Sequence, residues 1–180
     1  ALSVNKLWEG LPIALLKGRQ QKVRGSGVLL HITSLASPFG IGDLGMESRS
    51  FADFLQRCHQ KYWQILPLNP IEKSQFYSPY SATSSMAGNI LLISPELLAD
   101  EGLLTHEELK QYHLPQCGVT LYDEVERVKG KLFDKAWVNF KQGNHEALHI
   151  DFEEFKRVDW LQDYALYSTL KSIHNGNPWY

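Results

Sequence analysis

Four short stretches of this chain carry residue types that could do chemistry. "HEALH" (His145–His149) has the H-E-x-x-H spacing that puts two imidazoles one helical turn apart to bind zinc, with the Glu as base. "GIGDLG" has glycines at Gly40, Gly42 and Gly45, the G-x-G-x-x-G spacing of a phosphate-cradling turn. His113 and Cys117 lie four apart, the spacing of a helical ligand pair. "QFYSPYSATSSMAGN" (75–89) gathers aromatics, hydroxyls and an asparagine with almost no charge.

The first three are weak in context. "QGN" precedes "HEALH", so that motif falls at a helix start. It has no H-x-x-G-x-x-H extension, and Asp163 is the nearest separated third ligand, with nothing special to support it. The run from His31 to Gly42 is too long for a dinucleotide turn, and Asp43 stands where a pyrophosphate would approach, so a structural glycine turn is expected. Pro115 between His113 and Cys117 breaks the helix they would need. The fourth stretch has the composition a sugar requires. Aromatic faces pack on C–H surfaces, and neutral hydroxyls and amides meet the rim of sugar hydroxyls. The competing reading of "SPY" is a turn with a half-buried tyrosine. Glycosyl chemistry also needs a pair of carboxylates across the scissile bond. The nearby loop carboxylates are Asp43 and Glu72, and neither stands at a strand end, so the catalytic pair is expected outside this chain.

The elements around these stretches are legible from periodicity. "GVLLHIT" from Gly27 and "YWQILPL" from Tyr62 are short apolar runs, expected as strands buried on both faces. Between them lie a Gly/Ser/Pro-rich loop and "MESRSFADFLQRCHQ", with Phe51, Phe54, Leu55 and Cys58 on one helical face. The order is strand, loop, helix, strand: one βαβ unit, whose loops leave the carboxyl ends of its strands, where α/β proteins bind ligands. Trp63 is expected in the core, with an anchor under the Ser/Tyr loop as the alternative. Beyond Asn89 the pattern turns helical. "NILLI" is expected as a short strand. Ser94–Pro95 starts a helix that Gly102 stops, and Thr105–Glu108 reads as a capping box. Val125, Val128, Leu132, Phe133, Ala136, Val138 and Phe140 mark a long helix interrupted by Gly130, and residues 151–173 a last helical region. The expected division is an arm over 1–24, the βαβ portion over 25–92 and a mainly helical subdomain over 93–180. A lone βαβ unit does not make a stable sheet, and the chain ends on "NPWY", so the front part of a larger protein is expected.

Composition narrows the classes. The chain has 180 residues, 43% hydrophobic and 21% charged, with a net charge of −2. No basic field exists for nucleic acid. No apolar run approaches the roughly 18 residues of a membrane span, and "LPIALL" (11–16) is too short for a signal core. The two cysteines, Cys58 and Cys117, form no disulfide framework and suit a reducing cytosol.

Four blocks taken together resemble a known family. "GVLLHITSLASPFGIGDLG", "YWQILPLNP", "SPYSATSSMAGNILLISPELLADEGLL" and "DWLQDYALYSTLK" are similar, in order and spacing, to the N-terminal part of the 4-α-glucanotransferases, the amylomaltase or disproportionating-enzyme family. The resemblance covers nearly all of residues 24–180. Ile32, Ala36 and Phe39 stand where the family commonly has Pro, Pro and Tyr. The resemblance implies the opening of a (β/α)₈ TIM barrel, its first βαβ unit, with a helical insertion. It implies transfer of α-1,4-glucan segments between maltooligosaccharides by a retaining double displacement, with no metal or organic cofactor. The partners implied are these glucans and the remainder of the same barrel, in the cytoplasm, or in a plastid if the source is a plant. Tyr80 and Ser78 match the residues of "SPY" that line the donor sugar site. Asn89 matches a structural asparagine, and Asp43 a loop-organising aspartate. The family's catalytic carboxylates lie beyond Tyr180. Two other readings stay open: a non-catalytic glucan-binding fragment, and a zinc protease through "HEALH".

Overall fold

The computed structural model describes residues 24–115 and 118–174. The arm expected over 1–24 therefore lies outside the described residues, apart from Arg24.

Two strands, β1 (Gly27–Leu29) and β2 (Tyr62–Gln64), pair in parallel with Gly27 opposite Tyr62 and Leu29 opposite Gln64. Helix α1 (Met46–Arg57) connects them, as the βαβ reading requires. The strands are shorter than their apolar runs. After Leu30 the chain turns into a 3₁₀ segment, Ile32–Ser34, and after Gln64 the prolines of "LPLNP" keep it from pairing further. Burial on both faces does not hold: every residue of β1 is exposed, and in β2 Trp63 alone is half-buried. Among the described residues the sheet has no third strand to widen it, and no layer covers both its faces. Trp63 packs edge-on to Phe51 of α1 with ring centroids 4.9 Å apart, and its indole N–H donates to the Leu30 carbonyl at 2.7 Å.

The buried core forms instead around helix α4 (Tyr122–Gln142). Val125, Val128, Leu132, Ala136 and Phe140 recur every three or four residues, so they share one face. Phe39 and Ile41 of the β1–α1 loop, Leu91, and Leu103, Leu104 and Leu109 fill the space against that face. The long β1–α1 loop is thus an apolar wedge. Gly42 lies so close to the chain it crosses that a Cβ there would sit 2.0 Å from the Ile32 carbonyl oxygen. Gly130 does not interrupt α4.

Helices α2 (Pro95–Asp100) and α3 (His106–Leu109) follow their sequence signals closely. Ser94 caps α2 by accepting the Leu97 N–H, and Pro95 occupies the first turn. Gly102, with φ +75°, ends it in a left-handed turn. Its N–H reaches Ala99 O, and the Leu103 N–H reaches Leu98 O, the paired bonds that satisfy the last helical carbonyls. Thr105 Oγ1 accepts the Glu108 N–H at 3.3 Å to start α3. Two further expectations fail. "NILLI" forms a 3₁₀ turn, Ile90–Leu92, because Asn89 Oδ1 takes the Leu91 N–H and caps a turn there. The last helical region is two helices, α5 (Glu146–Phe155) and α6 (Leu161–Ile173). The break falls at Lys156–Trp160, where Asp159 turns its carboxylate onto the Trp160 N–H.

Candidate functional site

Because β1 and β2 run parallel, the loops that follow them leave the same end of the sheet. Residues 65–89 form the second of these loops. Its neck is closed by the Asn89 N–H donating to Leu68 O at 2.7 Å, and its middle by the Asn69 side chain donating to Ser84 O at 3.0 Å. Several of its polar groups serve the loop itself. Ser84 Oγ accepts from the Met86 and Ala87 N–H groups, and Asn89 is buried as the cap of the next turn. Ser78 Oγ accepts the Tyr80 N–H at 3.3 Å and fixes the SPY turn. Ser78 is half-buried, while Tyr80 is 73% exposed and presents its ring to the outside. The structure therefore brings Ser78 and Tyr80 together on one turn.

The segment just before that turn is unusual. Phe76 and Tyr77 both take positive φ, +53° and +55°, a conformation that costs a residue with a Cβ roughly 1–2 kcal/mol. Tyr77 is anchored regardless. Its ring stacks on Tyr122 of α4 at 4.0 Å with planes 8° apart. Its hydroxyl lies 3.3 Å from both Asp123 Oδ1 and Glu126 Oε2. Burial, then the two carboxylates, push that phenol up to about 12, so it stays a donor at any physiological pH. Lys73 pairs with Asp123 at 2.7 Å, and Glu72 pairs with Lys171 of α6 and accepts from Ser74 Oγ at 3.0 Å.

The first loop is organised by charge. Lys129, on the buried face of α4, is fully enclosed. Its ammonium meets Asp43 Oδ2 at 2.9 Å and the carbonyls of Leu91 and Ile93 at 2.7 and 2.9 Å. Asp43 Oδ1 accepts the Gly45 N–H at 3.0 Å at the start of α1. Burial pulls the Lys129 ammonium below the ordinary lysine range, and Asp43 opposes that pull. Asp43 is thus a loop organiser, as its match implied. The phosphate reading of "GIGDLG" meets a carboxylate already seated where an anion would bind. Asp43 and Glu72, the carboxylates nearest the strand ends, are both engaged by lysines.

"HEALH" is split by the helix boundary. His145 precedes the first turn of α5, and His149 lies within it, its ring 4.2 Å from Phe140. Among the described residues no three His, Cys, Asp or Glu converge in a way that could hold a metal. Asp163 belongs to α6. His113 packs edge-on to Phe39 at 5.6 Å, and Cys117 lies outside the described residues. A cleft of about 430 Å³ opens between α4, α6 and the loop neck, lined by Ile71, Ile90, Gly130, Phe133 and Tyr164 among others; Ser78 and Tyr80 do not line it.

Sequence reasoning missed Lys129, Tyr77, Tyr122 and Lys171. Lys129 left a signal: it sits inside the apolar stripe, beside Val128 and four residues after Val125. Tyr77 and Lys171 left none, since their partners lie 46 and 99 residues away.

The family model for 4-alpha-glucanotransferase matches residues 30–180. The chain belongs to the 4-alpha-glucanotransferase family. It is similar to the 4-alpha-glucanotransferase of Aquifex aeolicus, 45% identical over 158 residues, which cover 88% of this chain and 31% of that protein. The chloroplastic/amyloplastic 4-alpha-glucanotransferase of Solanum tuberosum is 39% identical over 163 residues, 87% of this chain and 28% of that protein. Among solved structures, an amylomaltase from Streptococcus agalactiae in complex with acarbose superposes with a TM-score of 0.77 at 33% identity, covering 86% of this chain and 31% of that one. The fold is therefore shared with part of an amylomaltase, and the chain spans about a third of the length of the relatives it matches. Two of the departures from the family pattern, Ile32 and Phe39, are buried and act in packing.

Proposed function

We propose that this chain carries one wall of the glucan site of a 4-α-glucanotransferase. The reaction is transfer of α-1,4-glucan segments between maltooligosaccharides with retention, through a covalent glycosyl–enzyme. In this reading β1, α1 and β2 open a (β/α)₈ barrel, residues 25–92, and the helices of 93–180 are an insertion beside it. The catalytic carboxylates belong to later strands. Engagement of Asp43 and Glu72 by Lys129 and Lys171 supports this, because neither carboxylate is left free for general acid or nucleophile work. The enzyme works in the cytoplasm, or in a plastid in a plant.

The observation that carries the reading is the exposed Tyr80 ring on the Ser78 turn, in the loop that leaves the carboxyl end of β2, in a family whose solved streptococcal relative holds acarbose. An uncharged loop with an aromatic face suits an uncharged sugar. The test is Tyr80→Ala in the full-length enzyme. Loss of one stacking face lowers kcat/KM for maltooligosaccharides by about tenfold. Unchanged kinetics would remove Tyr80 from the site.

A further inference from the structure

We propose that α4 and α6 together clamp residues 72–77, and that Tyr77 and Lys171 are positioning residues for the Ser78–Tyr80 contact. This rests on the glucan-site reading above. Three observations converge on six residues that run directly into Ser78. First, the segment is wound tightly on itself: the Phe76 N–H reaches Lys73 O, the Tyr77 N–H reaches Glu72 O, and the Ser78 N–H reaches Gln75 O. Second, two successive residues with side chains, Phe76 and Tyr77, hold left-handed backbone. Such a conformation persists only where its surroundings over-determine it. Third, the anchors come from two separate helices. Tyr122, Asp123 and Glu126 of α4 hold Tyr77 and Lys73, and Lys171 of α6 holds Glu72.

The bland alternative is surface decoration. Most of these polar contacts are exposed, and exposed ion pairs add little to stability. That weakness favours a positioning role. The contacts offset backbone strain in one loop, so their product is a fixed conformation rather than a more stable fold. Phe76, 94% exposed at the bend, shows that the bend is not made to bury its own side chain. Tyr77 faces α4, and the chain then reverses into the SPY turn with Tyr80 outward.

The test is a mutant cycle in the full-length enzyme, with maltooligosaccharide kinetics and thermal melting measured side by side. Tyr77→Ala and Lys171→Met each raise KM by about tenfold and leave the melting temperature near that of the parent, as misplacement of a binding contact requires. Lys171→Arg restores KM to within about twofold, because it keeps the charge on Glu72. In a Ser78→Ala/Tyr80→Ala background, Tyr77→Ala changes KM by less than about twofold, since the contact it positions is gone. An undiminished Tyr77→Ala effect in that background would overturn the clamp and leave the glucan reading standing. So would wild-type KM in both single variants while Tyr80→Ala alone is impaired. If Ser78→Ala/Tyr80→Ala is itself unimpaired, the glucan reading fails, and the positioning roles fail with it. Should Tyr77→Ala melt early, Tyr77→Phe, which keeps the ring on Tyr122 and removes the hydroxyl, takes its place in the cycle.

Discussion

Helices α4 and α6 treat their apolar side chains in opposite ways. Helix α4 buries Val125, Val128, Leu132, Ala136 and Phe140 against the β1–α1 loop and the segments around Leu91 and Leu104. Helix α6 buries none of its residues, and Leu166, Leu170 and Ile173 stand exposed. The first region is a core in which loop, turn and helix interlock around one buried ion pair. The second touches the rest through pairs such as Lys171 with Glu72. The difference separates two jobs. Around α4, contacts make the structure stable; around residues 72–77, they decide where a few side chains point.

The sharpest way to break this contrast is Lys129→Met. It leaves Asp43 charged and enclosed and strips the Leu91 and Ile93 carbonyls of their donor, so unfolding free energy falls by about 3–5 kcal/mol. Denaturant unfolding reads it, and pairing it with Asp43→Asn recovers part of the loss. A loss below about 1 kcal/mol in the single variant would mean that the interlock does not depend on the pair.

A second experiment compares one leucine from each region. Leu132→Ala costs about 3 kcal/mol, the usual range for a fully enclosed leucine. Leu170→Ala in the same 180-residue chain stays within about 0.5 kcal/mol, as for other surface substitutions. Equal losses would show that the α6 face is covered.

The smallest effect is an acid limb. Lys135, then Thr105, hold the Glu108 carboxyl below its ordinary value, against the opposing effect of burial. A carboxyl depressed in the folded state contributes stability that is complete above its unfolded pKa, about 4.3, and is lost as pH falls through the folded value. The melting temperature of the wild type therefore drops more steeply below about pH 4 than that of Glu108→Gln. Parallel curves would deny Glu108 this role.

Local signals carried much of the fold. Ser94, Pro95, Gly102 and Thr105 act through neighbours within a few residues, so each could be read in place. The α4 face was legible for the same reason. "NILLI" misled because an apolar run of five does not distinguish a strand from a buried turn, and Asn89 decided the matter with one side-chain bond. The burial expected of β1 and β2 failed because an apolar run reports what a strand is suited to pack against, not what is packed against it among the described residues. At the candidate site, the SPY turn was visible as a motif. The contacts that orient it were not, because Tyr77 meets α4, and Glu72 meets α6, only after the chain has folded back on itself.

The two ion pairs at residues 72 and 73 have one more consequence. The ligand proposed above, a glucan, carries no charge, so dissolved salt has little direct hold on it. Lys73 and Asp123 are both open to solvent, however, and Glu72 and Lys171 only partly sheltered. Mobile ions shield such pairs over distances of about 8 Å at physiological ionic strength. Through the proposed clamp, the orientation of the uncharged Ser78–Tyr80 turn becomes a function of ionic strength, and a wall of neutral side chains inherits the electrolyte sensitivity of its scaffold.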